Sequence, residues 1–156
     1  MELVITPRGN LQIDNATMVF KNFSGEPDEY TREGDRSFAV VIPTQEMAED
    51  LINRGWNVKI RPPRNADEDP FMYLKVKVSY KFEGPRAYLI SGNARRELTE
   101  DNIGMLDRID IESVDMDISP SDWTRNGKDG RTAYLDSIHV VQKLDRFAAR
   151  YANDGE

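Results

Sequence analysis

The chain has 156 residues, 38% of them hydrophobic and 31% charged, with a formal net charge of −7; this is the profile of one globular domain with a real core and argues against a uniformly basic nucleic-acid coat. No apolar run approaches the ~20 residues of a membrane span, and Met1-Glu-Leu-Val-Ile-Thr-Pro-Arg8 lacks the basic-then-apolar pattern of a signal peptide, so no membrane partner and a cytoplasmic location are expected. There is no cysteine and a single histidine, His139, which excludes disulfides, thiolate chemistry and cysteine-ligated zinc and leaves no histidine-rich metal centre; no cofactor is expected.

Leu11 to Phe23 reads as a strand. Leu11 and Ile13 share one parity, Ala16, Met18 and Phe20 the other, so a bulge is expected near Asn15. Ser24 to Asp35 is an acidic loop punctuated by Gly25, Pro27 and Gly34. Arg36 to Ile42 is a strand with Phe38, Val40 and Ile42 on one face. Thr44 caps a helix running to about Arg54, with Met47, Ala48, Leu51 and Ile52 as its apolar stripe and Gly55 as its stop. Trp56 to Arg61 is a strand with Trp56, Val58 and Ile60 inward and Asn57, Lys59 and Arg61 outward.

After the acidic loop Asn65 to Pro70 comes the clearest strand, from about Phe71 to Phe82. Leu74, Val76, Val78 and Tyr80 point one way; Tyr73, Lys75, Lys77, Ser79 and Lys81 point the other. Gly84-Pro85 turns into a short strand, Arg86 to Ser91. Thr99 opens a short helix ending near Leu106. Ile109 to Ile118 is a strand with a parity slip near Ser113, Ser119 to Arg131 a loop, and Thr132 to Val141 the last strand. Leu144, Phe147, Ala148 and Tyr151 fall at i, i+3, i+4, i+7 and predict a terminal helix. The chain is thus mainly β, with about six or seven strands. The small-barrel solution is an OB-fold-like five-stranded Greek-key barrel with added strands and two or three short helices, spanning residues 1–152 and followed by a short tail, 153–156.

Charge is distributed unevenly. Between Arg54 and Arg96 there are ten basic and four acidic residues, a balance of +6, while the rest of the chain carries −13. A basic island on an acidic protein is what a localised polyanion site requires. Lys59 and Arg61 on one strand and Tyr73, Lys75 and Lys77 on another share the outward parity. If these strands are neighbours, they form the floor of a groove with cations for phosphates and a ring for bases, the arrangement of single-strand binders. Arg64, Arg125 and Lys128 fall at the groove edges. Trp123, in a polar Gly-rich stretch, either stacks a base or plugs the barrel end. Trp56, Phe38 and Tyr80 read as core, whereas Phe23 and Tyr30 flank the first loop, where the core has no obvious need of rings.

The carboxylates Asp107, Asp110, Glu112, Asp115 and Asp117 lie close together in sequence, and Asp115 and Asp117 share a strand face. Paired carboxylates hold magnesium in phosphoryl chemistry, but the segment offers no lysine or histidine base, and a solvated acidic strand face is the commoner meaning. His139 reads as structural. No phosphate loop, nucleophile elbow or metal motif is present.

Asn22-Phe-Ser-Gly25, Tyr30, Arg36-Ser-Phe-Ala-Val-Val-Ile-Pro43 and Gly55-Trp-Asn-Val-Lys59 resemble the front half of phage-encoded single-stranded DNA-binding proteins. Val114-Asp-Met-Asp-Ile-Ser-Pro120, Trp123, Asn126-Gly-Lys128, Gly130 and Ala133-Tyr-Leu135 resemble the back half, in order. The resemblance spans residues 15 to 152. It implies an OB-fold and a role in protecting or organising single strands during phage replication or recombination. Bacterial single-strand binders usually end in an acidic tail with an apolar tip. Tyr151-Ala-Asn-Asp-Gly-Glu156 has no such tip, so replication or recombination proteins would be met elsewhere, with the Glu26–Asp35 loop as the candidate.

The expectation is a non-enzymatic protein that binds single-stranded DNA with little sequence preference through Lys59, Arg61, Arg64, Tyr73, Lys75, Lys77, Trp123, Arg125 and Lys128, acting in the host cytoplasm and with a homodimer as the favoured assembly. The alternatives are an acidic DNA mimic that blocks a host nuclease or restriction system, and a magnesium-dependent nuclease built on Asp115 and Asp117.

Overall fold

The computed structural model describes residues 1–29 and 31–144. In chain order it holds β1 (Glu2–Ile5), β2 (Leu11–Asp14), β3 (Met18–Asn22), β4 (Arg36–Val41), helix α1 (Gln45–Asn53), β5 (Val58–Arg61), β6 (Phe71–Val78), β7 (Arg86–Ser91), β8 (Ala94–Leu98), a 3-10 turn (Ile103–Asp107), β9 (Ile111–Arg125) and β10 (Lys128–Gln142). No helix among the described residues is long and apolar enough to cross a membrane.

The change of side at Asn15 divides the first strand and lets it serve two neighbours. Asn15 takes a positive φ of 54°, which asparagine tolerates better than most residues. Before it, β2 pairs with β9; after it, β3 pairs with β4. Across the break, the Ala16 N–H donates to the Val114 carbonyl (2.8 Å) and the Val41 N–H to the Thr17 carbonyl (2.9 Å). The sheet order β1-β2-β9-β10-β6-β4-β3 therefore returns to the segment it leaves from. Counting β2 and β3 as one bent strand, the ring runs through β4, β6, β10 and β9, the five-stranded OB-like arrangement.

The alternating strands supply the core. Leu11, Ile13, Phe38, Val40, Leu74, Val76, Ile118 and Ile138 are each at most 2% exposed. Phe23 stacks on Phe38 with ring centres 5.1 Å apart; it is fully buried, which corrects the expectation that its ring is spare. Truncating such a side chain costs about 2–5 kcal/mol. Trp56 is core as expected, but Ile60 is half exposed. β5 shares one edge of β6 with β10, taking Phe71–Leu74 while β10 takes Val76 and Lys77, so its far end overhangs the barrel and the inward side of Ile60 meets solvent.

Thr44 caps α1 by accepting from the Met47 N–H at 3.2 Å. Ala48 and Leu51 are buried, but Ile52 is exposed, at the edge of the stripe. The 3-10 turn replaces the expected short helix after Thr99, and the Asp107 carboxylate at its end accepts from the Phe23 N–H (2.8 Å) and the Ser24 N–H (3.0 Å). The parity slip near Ser113 is a register shift: Val141 faces Ser113, but Gln142 faces Ile111. β1 and β8 were not expected; Ala94-Arg-Arg-Glu-Leu98 carries no apolar alternation and is a strand because Gly92-Asn93 folds it back on β7. The expected terminal helix beyond Leu144, the 153–156 tail and the Tyr30 ring lie outside the described residues.

The largest correction concerns Ser119 to Arg131. This is not a loop: β9 and β10 continue through it as a long antiparallel hairpin closed by Asn126-Gly127. Both turn residues have positive φ, 53° and 76°, the geometry that matches the twist of flanking strands and that Asn-Gly favours.

Candidate nucleic-acid interface

Strand β6 alternates without a fault: Met72, Leu74, Val76 and Val78 are buried, while Phe71, Tyr73, Lys75 and Lys77 face out. β5 lies beside it, with Lys59 opposite Tyr73 and Arg61 opposite Phe71. The two rows expected to form a groove floor are neighbours in register. On the other edge β4 places Ser37 beside Lys77, Ala39 beside Lys75 and Val41 beside Tyr73. These are small or short residues, so the lysines and rings of β6 stand clear of them.

Two rings missing from the sequence-derived set complete this face. Phe71 has the outward parity of Tyr73 and was legible on that ground. Phe20 was not, because its parity grouped it with Met18. In the structure, the β3–β4 register slips between Val19 and Asn22, and Phe20 sits in that irregularity at φ 53°. The slip swings its ring over the outer face. It meets Tyr73 edge-on at 5.5 Å and Phe71 edge-on at 6.1 Å, and Phe71 and Tyr73 are 5.4 Å apart. The Arg61 guanidinium lies 6.0 Å from both phenylalanine rings. Phe20 remains 57% exposed. A bulky residue at positive φ that leaves its ring in water is costly to the fold, and such costs collect at functional sites.

Two open pockets adjoin along Lys75. The larger, about 910 Å³, has Phe20, Tyr73, Arg61 and Lys75 on one side and Glu26, Pro27 and Asp28 of the first loop on the other. The smaller, about 390 Å³, is lined by Arg36, Lys75, Lys77, Lys81, Tyr80 and Tyr134. Arg36 lies 5.3 Å over the Tyr80 ring and 3.5 Å from the Glu100 carboxylate. Burial pushes the Tyr80 phenol up; Arg36 opposes the shift and Glu100 adds to it. The first loop is thus an acidic wall along a cationic floor.

The β9–β10 hairpin carries the other expected residues. Trp123 pairs with Gly130 and Arg125 with Lys128, on the side of the ladder that leads through Ser121–Thr132 and Ser119–Tyr134 to Lys77 of β6. By register, the arm and the groove floor are one sheet face. The Trp123 indole lies across Gly130, where any Cβ would collide with it, and its N–H donates to the Thr132 hydroxyl at 3.2 Å. It is 46% exposed, so it is not a plug for the barrel end. Arg131, on the opposite side, roots the arm: its guanidinium donates to the Arg54 carbonyl (2.7 Å) and the Asp122 carboxylate (2.6 Å) and lies 5.1 Å over Trp56. That hydrogen bond holds the Asp122 carboxyl below its ordinary value, with slight burial acting against it. Arg64 is exposed in the connection between β5 and β6; among the described residues no hydrogen bond or ion pair ties it to the floor.

The carboxylates near Asp115 have local tasks. Asp115 accepts from the Asn15 N–H (2.8 Å) and Asp117 from the Ser137 hydroxyl (3.2 Å). Among the described residues no three acidic or histidine side chains converge as metal ligands do.

A family model described as a putative phage ssDNA-binding domain matches residues 2–156. The chain belongs to this family. Solved structures agree on the fold. The single-stranded DNA-binding protein from bacteriophage Enc34, C-terminal truncation, is 14% identical with a TM-score of 0.59, covering 92% of this chain and 91% of that one. The same phage protein in complex with ssDNA gives 14% identity and a TM-score of 0.59, with 93% of both chains covered. No curated protein matches the chain in sequence.

Proposed function

We propose that this phage ssDNA-binding domain holds a single strand on the outward face of β6, without base-edge readout, and so protects or organises single strands during phage replication or recombination. The observation that carries the reading is the ordered run Phe71, Tyr73, Lys75, Lys77 on that face, flanked in register by Arg61 and Lys59. Phe20, Phe71 and Tyr73 offer rings for bases, each stacked base being worth about 1–3 kcal/mol. Lys59, Lys75 and Lys77 neutralise phosphates, Trp123 stacks a further base, and Arg125 and Lys128 hold the strand along the arm. Arg64 is at most a peripheral charge. The role is binding rather than catalysis. One OB barrel covers about 4–16 nucleotides, so coating a longer strand takes neighbouring copies or a dimer.

The test is a Lys75→Glu/Lys77→Glu double variant, titrated with labelled oligo-dT, oligo-U and a duplex at several salt concentrations. The unaltered protein is expected to prefer the single strand, with log affinity falling by about 0.7 per neutralised phosphate for each tenfold rise in salt. The folded double variant is expected to lose binding. Unchanged affinity in a folded double variant would remove the β6 face from the reading, and a uniform preference for duplex would remove the single-strand reading.

A further inference from the structure

The basic island of the sequence divides in three dimensions. Lys59, Arg61, Lys75, Lys77 and Lys81 border the groove; Arg86 and Arg95 do not. They stand on β7 and β8, joined to the groove floor by a single long strand. Strand β10 is parallel to β6 at Ala133 and Tyr134, and parallel to β7 from Ser137 to Val141. Its outward residues therefore run from Tyr134, beside Lys77, to Ser137, beside Arg86, and then to His139, beside Tyr88. Ala87 and Leu89 are buried, which fixes Arg86 and Tyr88 on the outer side.

Along this row the side chains form a stack. Tyr88 and His139 lie ring on ring, 4.9 Å apart and 29° from parallel, and the Arg95 guanidinium covers Tyr88 at 4.2 Å. Arg86 and Arg95 are exposed. The neighbouring acids are Glu97, opposite Tyr88 on β8, and Asp115 and Asp117, opposite His139 and Ser137 on β9; the Asp115 carboxylate already accepts from the Asn15 N–H and the Asp117 carboxylate from the Ser137 hydroxyl. A flat cation on two stacked rings, next to a second arginine, is the same combination of charge and π-face that the groove offers. It begins about 10 Å along β10 from Tyr134, where Ser137 lies beside Arg86, at the rise of a β-strand.

We propose that Arg86, Tyr88, Arg95 and His139 form a second contact surface for single-stranded nucleic acid, on which a strand leaving the groove past Tyr134 continues along β10. This rests on the single-strand reading of the groove. It makes the footprint longer than the groove, and strand length the variable that separates the two surfaces.

The experiment is an Arg86→Gln/Arg95→Gln variant, titrated with labelled oligo-dT of about 5 and about 30 nucleotides, lengths near the bottom and beyond the top of what one barrel covers. The short oligonucleotide is expected to bind within twofold of the unaltered protein, which also certifies the fold. The long one is expected to bind more weakly, with its salt slope reduced by about 1.4 for the two lost phosphate contacts. The deficit then shrinks about 25-fold over a tenfold rise in salt. An equal loss on both lengths, or an unchanged affinity and slope on the long strand, would overturn the second surface. Failure of the unaltered protein to bind either length would instead overturn the single-strand reading, and this surface with it.

Discussion

Phe20 sets the fold against the site, and replacing it with glycine separates the two. Glycine accepts the φ of 53° at Phe20 without strain, whereas a left-handed backbone costs an ordinary residue about 1–2 kcal/mol. Against this relief stands the loss of packing. Phe20 is 57% exposed, so less than half of the ~1.5–3 kcal/mol for burying a phenylalanine is at stake. Its edge contacts with Phe71 and Tyr73 add about 0.5–1.5 kcal/mol each at most. The relief offsets only about half of that loss, and the Phe20→Gly variant is expected to be about 1–2 kcal/mol less stable in urea than the unaltered protein. Affinity has no such compensation. Losing one stacked base removes about 1–3 kcal/mol, or roughly 5- to 150-fold. Fluorescence anisotropy with labelled oligo-dT, read beside the urea midpoint, measures both. A folded variant that binds within twofold of the original would refute the idea that the strained ring is held out for a base.

Replacing Gly130 with alanine places a methyl where the Trp123 indole lies, so the ring must lift and lose its bond to Thr132. Emission from Trp123 should shift to the red and single-strand affinity should fall at least about fivefold, the lower bound for one stacked base, while Trp56 stays buried. The arm should also loosen in acid. Arg131 holds the folded Asp122 carboxyl below its ordinary 3.8, so this tether is at full strength above 3.8 and is lost as the pH falls through the lowered value. The Arg131 Nε–H resonance should report that release in a titration of the intact protein, and an Asp122→Asn variant should show no such acid step.

What was legible in the sequence is what alternation encodes. The β6 face was readable from Tyr73 to Lys77 as an outward row, and Lys59 and Arg61 as another, but that the two rows are neighbours was only a condition in the sequence and comes from the β5–β6 register. The break at Asn15 and the slip at Ser113 showed as parity changes. Phe20 was illegible because its orientation comes from a register slip between β3 and β4, a relation between two strands that neither strand's own pattern records. The β9–β10 arm was misread because beyond Ile118 it has no core to face. Polar residues on both sides leave no alternation, although Asn126-Gly127 between two extended runs was a hairpin signal in plain view. β8 was hidden for the same reason. The division of the basic island depended on β10 changing neighbours from β6 to β7, which a count of charges along the chain cannot express.

The break at Asn15 also sets an order of assembly. The half of the strand after it can meet β4 soon after both are made, since Met18 and Val40 are close in sequence. The half before it cannot. The backbone of Asn15 is held by Asp115, 100 residues further on, and Leu11 and Ile13 pair with Ile118 and Met116. At synthesis rates of about 5–20 residues per second, that partner emerges roughly 5–20 s later. Until then Leu11 and Ile13 have no core to enter, and the strand pairing that closes the ring is among the last contacts the nascent chain can make.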